Sequence, residues 1–157
     1  MAFAGRAQTL NGNYTLDPSG NGDFQTFGQL ETALRTKGVS GPVTVDVKAG
    51  TYNEKVSFTS VPGISASNPV VIKGAGPTSS VITYNTVTSG DHAVVRIQDI
   101  SFFTFRDMGV TSTGTTNAWG IHVYSTNPVV EYVNVINCRV EVRKSSGSNL
   151  WPIVFNS

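Results

Sequence analysis

The segment FTFRDMGV at residues 103–110 recurs thirty residues later as VNVINCRV at residues 133–140. In both copies apolar residues alternate along the chain until one polar residue, Asp107 or Asn137, interrupts them. This alternation is typical of strands, and Asn or Asp is favoured at a sharp bend because its side chain bonds to nearby backbone. A repeat of about 20–50 residues indicates a solenoid. The pattern therefore predicts parallel strands whose coils turn a corner at residues 107 and 137.

Strand-like segments fill most of the chain after Gly38, separated by turns rich in Gly and Pro. They lie at residues 43–47, 56–58, 69–73, 81–84, 93–97, 120–124 and 152–155. We therefore predict an all-β fold, a right-handed parallel β-helix of about four coils in residues 39–157. The coil that begins at Pro152 stops at Ser157, so we expect this C-terminal end to be open or truncated.

A single segment follows the helical pattern. Its apolar residues share one face and are Phe27, Leu30, Ala33 and Leu34. Thr26 and Gln29 fit a capping box, and Gly38 is a favourable stop. We predict a strand and loop in residues 1–22, followed by an amphipathic helix in residues 23–38 that caps the first coil.

Composition excludes several classes of protein. Only 13% of the 157 residues are charged and the net charge is +1, which excludes the basic surface that nucleic-acid binding relies on. No apolar run approaches the ~18 residues of a membrane span, and residues 1–8 lack the apolar core of a secretory signal. The single cysteine, Cys138, excludes an internal disulfide and is predicted to be a buried, inert thiol.

Several segments carry a family resemblance, namely residues 24–37, 43–58 (VTVDVKAGTYNEKVSF), 74–83 (GAGPTSSVIT), 105–113 (FRDMGVTST) and 135–141 (VINCRVE). They resemble the N-terminal part of right-handed parallel β-helix proteins of the pectin lyase-like type. The closer likeness is to pectin methylesterases and to repeat regions of large secreted bacterial surface proteins. For the esterases, the resemblance implies two catalytic Asp residues, a substrate-binding Arg and Gln residues that stabilise an oxyanion.

The catalytic residues that the resemblance implies are missing from the positions where they should fall. Residues 117–121 (NAWGI) contain no Gln, and residues 143–150 (RKSSGSNL) contain no acid. Asp107 aligns with Asn137, which favours a corner residue over a catalytic acid, and Glu54 is interpreted as a structural or solvated turn residue. We therefore predict no catalytic residue, although whether the chain is an enzyme stays open.

Metal binding has weak support in the sequence. Asp17, Asn21 and Asp23 imitate the first half of a calcium loop, but the twelfth position is Gly28 rather than an acid. An Asx-rich turn is the preferred interpretation, with calcium as a weak alternative, and no other cofactor is predicted. His92 and His122 lack partners at metal-ligand spacing and are interpreted as exposed or hydrogen-bonded histidines.

Four aromatic residues are candidates for contacting carbohydrate: Trp119, Tyr124, Tyr132 and Trp151. Aromatic faces beside Asn and Ser suit sugars, although strand alternation leads us to expect about half of the four to be buried.

Two hypotheses about function follow. The first is an extracellular or cell-surface, non-catalytic module with a structural or adhesive role, which contacts polysaccharide or another surface component and self-associates through its open C-terminal end. The alternative is the N-terminal fragment of a polysaccharide-active enzyme, of the pectin esterase or lyase type, whose catalytic coils are missing.

Overall fold

The computed structural model describes residues 8–86, 92–115, 117–126, 130–143 and 149–156. Residues 1–7, 116 and 144–148, on which parts of the sequence predictions fall, lie outside the described residues. The elements in chain order are β1 (Leu10–Leu16), α1 (Phe27–Lys37), β2 (Val39–Val47), β3 (Gly50–Tyr52), β4 (Val56–Phe58), β5 (Val70–Gly74), β6 (Ser80–Tyr84), β7 (Ala93–Gln98), β8 (Phe103–Arg106), β9 (Gly109–Ser112), β10 (Asn117–Tyr124), β11 (Val133–Ile136), β12 (Arg139–Val142) and β13 (Asn149–Asn156).

The strands form three parallel sheets. The first sheet has the order β1-β2-β5-β8-β11, the second β3-β6-β9-β12 and the third β4-β7-β10-β13. Each coil gives one strand to every sheet, so β2–β4, β5–β7, β8–β10 and β11–β13 are four successive coils. The predicted all-β parallel solenoid of about four coils is therefore confirmed.

The repeated segment sets the register of the first and second sheets. Phe103 pairs with Val133, and Gly109 pairs with Arg139 in the next sheet. Between them Asp107 and Asn137 both adopt left-handed backbone, with φ of 57° and 48°. The Asn137 Nδ2 donates to Asp107 Oδ1 at 2.6 Å, and this bond, followed by that from Arg106, lowers the pKa of Asp107. The predicted corner is confirmed, and it joins consecutive coils.

Apolar side chains stack inside the solenoid, rung upon rung. In the first sheet Val45, Ile72 and Phe105 are register neighbours and all are fully buried. The last coil differs, because Val133 and Val135 are only half-buried and Phe155 is 64% exposed. The core is therefore complete through the third coil and open at the fourth.

Helix α1 lies within the predicted segment 23–38, packs against β1 and β4, and begins directly after the predicted cap at Thr26. The first helical residue is Phe27, because the backbone of Phe24 bonds to Thr15 and Asp17 and so extends the pairing of β1. Thr26 caps the helix by accepting from Gln29 N, as expected, but Gln29 Oε1 accepts from Gln25 N rather than from Thr26 N. Among the described residues, no helix is long and apolar enough to cross a membrane.

Candidate functional site

Three of the four aromatic candidates come together on the third sheet. Trp119 and Tyr124 lie on β10 and Trp151 lies on the neighbouring β13, whereas Tyr132 precedes β11 in the first sheet. The structure does not bury any of the four, and the exposed fraction is 55% for Trp151 and 67% for Tyr132. The expectation that about half would be buried is wrong.

A break in strand alternation explains the exposure of Trp119. Ile121 and Val123 pack inward, as alternation predicts, but Ala118 is also buried. Gly120 makes this possible because it lies against Val140 and Pro152, where a Cβ would collide with both. The alternation therefore changes phase at Gly120, so that Trp119 and Tyr124 lie on the outer side of the strand and His122 is buried against both of them.

The two indole rings are held by one amide. Trp119 and Trp151 are register neighbours on adjacent coils. The Nε1 atoms of both rings donate to Asn149 Oδ1, at 3.0 and 3.1 Å, and Asn149 Nδ2 donates to Asn117 Oδ1 at 3.2 Å. The polar edges of the rings are thus satisfied by the protein, which fixes their orientation.

A row of rings continues along β10. The His122 ring meets Trp119 edge-on at a centroid distance of 4.9 Å and lies 5.4 Å from Tyr124, while the His92 ring also lies edge-on to Trp119, at 5.2 Å. His122 Nε2 bonds to Asn156 Oδ1 at 2.8 Å. With Nε2–H donating, Nδ1 is left as an acceptor, and it has no partner in the part of the chain that the structure describes. We call residues 117, 119, 122, 124, 149, 151 and 156 the aromatic face.

The carboxylates of Asp99 and Asp107 form hydrogen bonds at the corners between sheets rather than on the aromatic face. Asp99 follows β7 and accepts from the backbone N of Thr126 at 2.7 Å, from Thr126 Oγ1 at 2.8 Å and from Gln98 Nε2 at 3.2 Å. Asp107 belongs to the corner between the first and second sheets. Within the described ranges no carboxylate belongs to the aromatic face itself.

The candidate calcium residues form a turn. Asp17 Oδ1 accepts from the backbone N and the Oγ of Ser19, at 2.8 and 2.6 Å, and these bonds lower the pKa of Asp17. Asp23 Oδ2 accepts from Thr15 N at 2.8 Å, and Asn21 Nδ2 donates to Ser19 Oγ at 3.0 Å. The described residues contain no group of three or more metal-binding side chains. Calcium binding stays a prediction.

Two further residues, Cys138 and Glu54, have contacts that point to a structural role. Cys138 follows the corner at Asn137, and partial burial raises the pKa of its thiol, which disfavours the reactive thiolate. The carboxylate of Glu54 accepts from the backbone N–H groups of Phe27 and Gly28, at 3.2 and 3.1 Å, at the start of α1. Glu54 is therefore a cap for the helix.

Sequence reasoning missed four residues of the face, Asn117, His122, Asn149 and Asn156. A signal was nevertheless present, because N-x-W occurs at residues 117–119 and again at residues 149–151. The spacing matches one coil, so the repeat predicts stacked Asn and Trp residues once the solenoid is recognised.

No protein-family model matches this chain, and no curated protein is similar to it. The fold is a parallel β-solenoid, and the pectin lyase-like resemblance stays a prediction.

Proposed function

We propose that this chain is a non-catalytic polysaccharide-binding module of the pectin lyase-like type, acting outside the cell or at its surface in a structural or adhesive role. The observation that carries the proposal is the repeated N-x-W motif, which sets two indoles side by side on neighbouring coils with their Nε1–H groups tied to Asn149.

The chemistry of the aromatic face suits a sugar polymer. Pyranose rings have an apolar side that packs on aromatic rings, and their hydroxyl groups need nearby donors and acceptors. Trp151 supplies an exposed indole, while Asn117, Asn149 and Asn156 supply amides along the same face. The outer face of a sheet is open at both sides, so it favours a long polymer over a small enclosed ligand.

The proposed role is binding without hydrolysis. Glycosidic and ester cleavage by carboxylates needs a pair of them beside the substrate, together with donors for the developing charge. Among the described acids, Asp99 and Asp107 are engaged at corners. A polysaccharide-active enzyme would need its catalytic groups on other coils.

Affinity electrophoresis tests the proposal. The protein is run in native gels that contain hydroxyethyl cellulose, galactomannan or polygalacturonate, and we expect retardation by at least one of them. Trp151→Ala should weaken the binding about threefold to tenfold, because one stacked ring is lost. Tyr84→Ala is the matched control, since Tyr84 is exposed at the end of β6 in the second sheet.

Two results would count against the proposed function. Equal mobility with and without all three polymers would remove the binding role. Release of reducing sugar or methanol from methylated polygalacturonate would show that the chain is catalytic.

A further inference from the structure

A second pair of aromatic rings lies on the first sheet, apart from the aromatic face. Phe102 and Tyr132 directly precede β8 and β11 and occupy equivalent positions on the third and fourth coils. Their rings are stacked, with centroids 5.2 Å apart and an angle of 20° between planes. Both residues have left-handed backbone, with φ of 56° and 54°. This conformation is unfavourable for bulky side chains.

The two rings border an open groove of about 410 Å³. Its lining residues are Ala66, Pro69, Phe102, Thr104, Tyr132 and Asn134. Thr104 and Asn134 are register neighbours, with Asn134 Nδ2 at 3.5 Å from Thr104 Oγ1. The groove therefore combines ring faces with an amide, as the aromatic face does, and adds the hydroxyl group of Thr104.

Packing alone does not account for this arrangement. Tyr132 is 67% exposed, so its ring buries little apolar surface, yet its backbone is held in a disfavoured region. Gly or Asn would satisfy the same backbone without strain, as Asn137 does at the next corner. Unfavourable backbone retained at an exposed aromatic residue is typical of a ligand-binding position.

We propose that this groove is a second binding site for a polysaccharide, so that one molecule holds two polymer segments. The proposal rests on the function proposed above. Between the third and first sheets the coil turns a corner at Asp99, where Asp99 N bonds to Tyr124 O, and Phe102 follows within a few residues. A stiff polymer lying flat on one sheet is therefore not flat on the other, and the two sites take separate segments.

Variants that separate the two sites provide the test. Tyr132→Asn removes the ring and supplies a residue that tolerates the left-handed backbone, while Tyr132→Phe keeps the ring as a control. Asn134→Ala is a second, exposed change in the groove. These variants, Trp151→Ala and the double variant Trp151→Ala/Tyr132→Asn are compared by the gels described above and by light scattering of the retarding polymer.

The expected pattern has two parts. Each single loss, Trp151→Ala or Tyr132→Asn, weakens retardation about threefold to tenfold, and the double variant is retarded least. The wild-type protein and Tyr132→Phe raise the scattering of the polymer by joining its chains, and each single loss reduces that rise because one of the two sites is weakened. Asn134→Ala behaves like a milder form of Tyr132→Asn.

The outcomes separate this inference from the proposed function. If no polymer retards the wild-type protein, both fall. If Trp151→Ala alone abolishes retardation, or if Tyr132→Asn and Asn134→Ala match the wild type in gels and in scattering, the second site is overturned and the aromatic face stands. Loss of binding in Tyr132→Phe equal to that in Tyr132→Asn would also overturn it, because the ring would not carry the effect.

Discussion

The first and the fourth coil of the solenoid differ in how completely their apolar interior side chains are covered. At the first coil Phe27 and Leu30 of α1 are fully buried against the stack, and Phe27 meets Tyr52 edge-on at 5.2 Å. At the fourth coil the corresponding interior is half-exposed, and Phe155 is 64% exposed. Among the described residues, the first coil is therefore covered by α1, whereas the side chains of the fourth coil are partly exposed.

The sealed end also satisfies backbone groups. Glu54 reaches from the first coil to the N–H groups of Phe27 and Gly28, and Glu31 of α1 accepts from the backbone N–H of Ser57 on the edge strand β4. Apolar cover by itself would leave such N–H groups without partners. The difference between the ends teaches that closing a solenoid takes both buried side chains and acceptors for the edge backbone.

The largest expected effect comes from removing the apolar cover. Phe27→Ala should lower the free energy of unfolding by about 3–5 kcal/mol, because a fully buried ring is lost and leaves a cavity. Phe155→Ala, the matched change at the open end, should cost less than about 1 kcal/mol. Urea denaturation followed by circular dichroism measures both values. Equal losses for the two variants would mean that the ends are equivalent in solution.

The next effect concerns the helix cap. Glu54→Ala should lower the free energy of unfolding by about 1–2 kcal/mol, since two N–H groups of α1 lose their acceptor and a favourable charge. Glu54→Gln retains an acceptor oxygen and should lose about half as much. Glu141→Ala on the exposed β12 is the control. A cost for the control as large as that for Glu54→Ala would argue against a specific cap.

A smaller change in the free energy of unfolding should come from the titration of Glu31. Burial is the main cause that raises the pKa of Glu31 from 4.5 to about 7. Because the folded state binds this proton more tightly than the unfolded chain, stability should fall as the pH rises from about 4.5 to 7 and then level off. For a partly exposed carboxyl the fall is on the order of 1 kcal/mol.

Glu31→Gln tests this pH dependence. The amide stays neutral and still offers an oxygen to Ser57 N, so the variant should lack the fall and be more stable than the wild type at pH 8. Thermal melts from pH 4 to 8 measure the difference, with Glu141→Gln as the charge-matched control. A slope in Glu31→Gln that is unchanged from the wild type would remove Glu31 as its source.

These details were readable from the sequence to different degrees. The repeat at residues 103–110 and 133–140 predicted the pairing of β8 with β11, since Asp107 and Asn137 fix the corner and hence the register. The cap at Thr26 was readable from the capping-box residues, whereas the pairing of Phe24 with β1 was not, because Phe24 fits a helix and a strand partner equally well by its residue type. The exposure of Trp119 was also hidden, since the change of phase at Gly120 depends on contact with Val140 from another sheet.

The smallest expected change in the free energy of unfolding belongs to Phe155→Lys, which should nevertheless reduce association between copies of the chain. Phe155→Lys changes an exposed side chain, so the free energy of unfolding should move by less than about 0.5 kcal/mol. Exposed apolar surface beside unpaired strand edges favours contact between copies, whereas α1 covers the other end. We therefore expect the average mass from static light scattering to rise with concentration for the wild type and to stay near 16.7 kDa for Phe155→Lys.

Lys37→Glu at the helix end is the control and should associate as the wild type does. A wild-type mass that stays at the monomer value at all concentrations would show that the open coil does not attract a second copy.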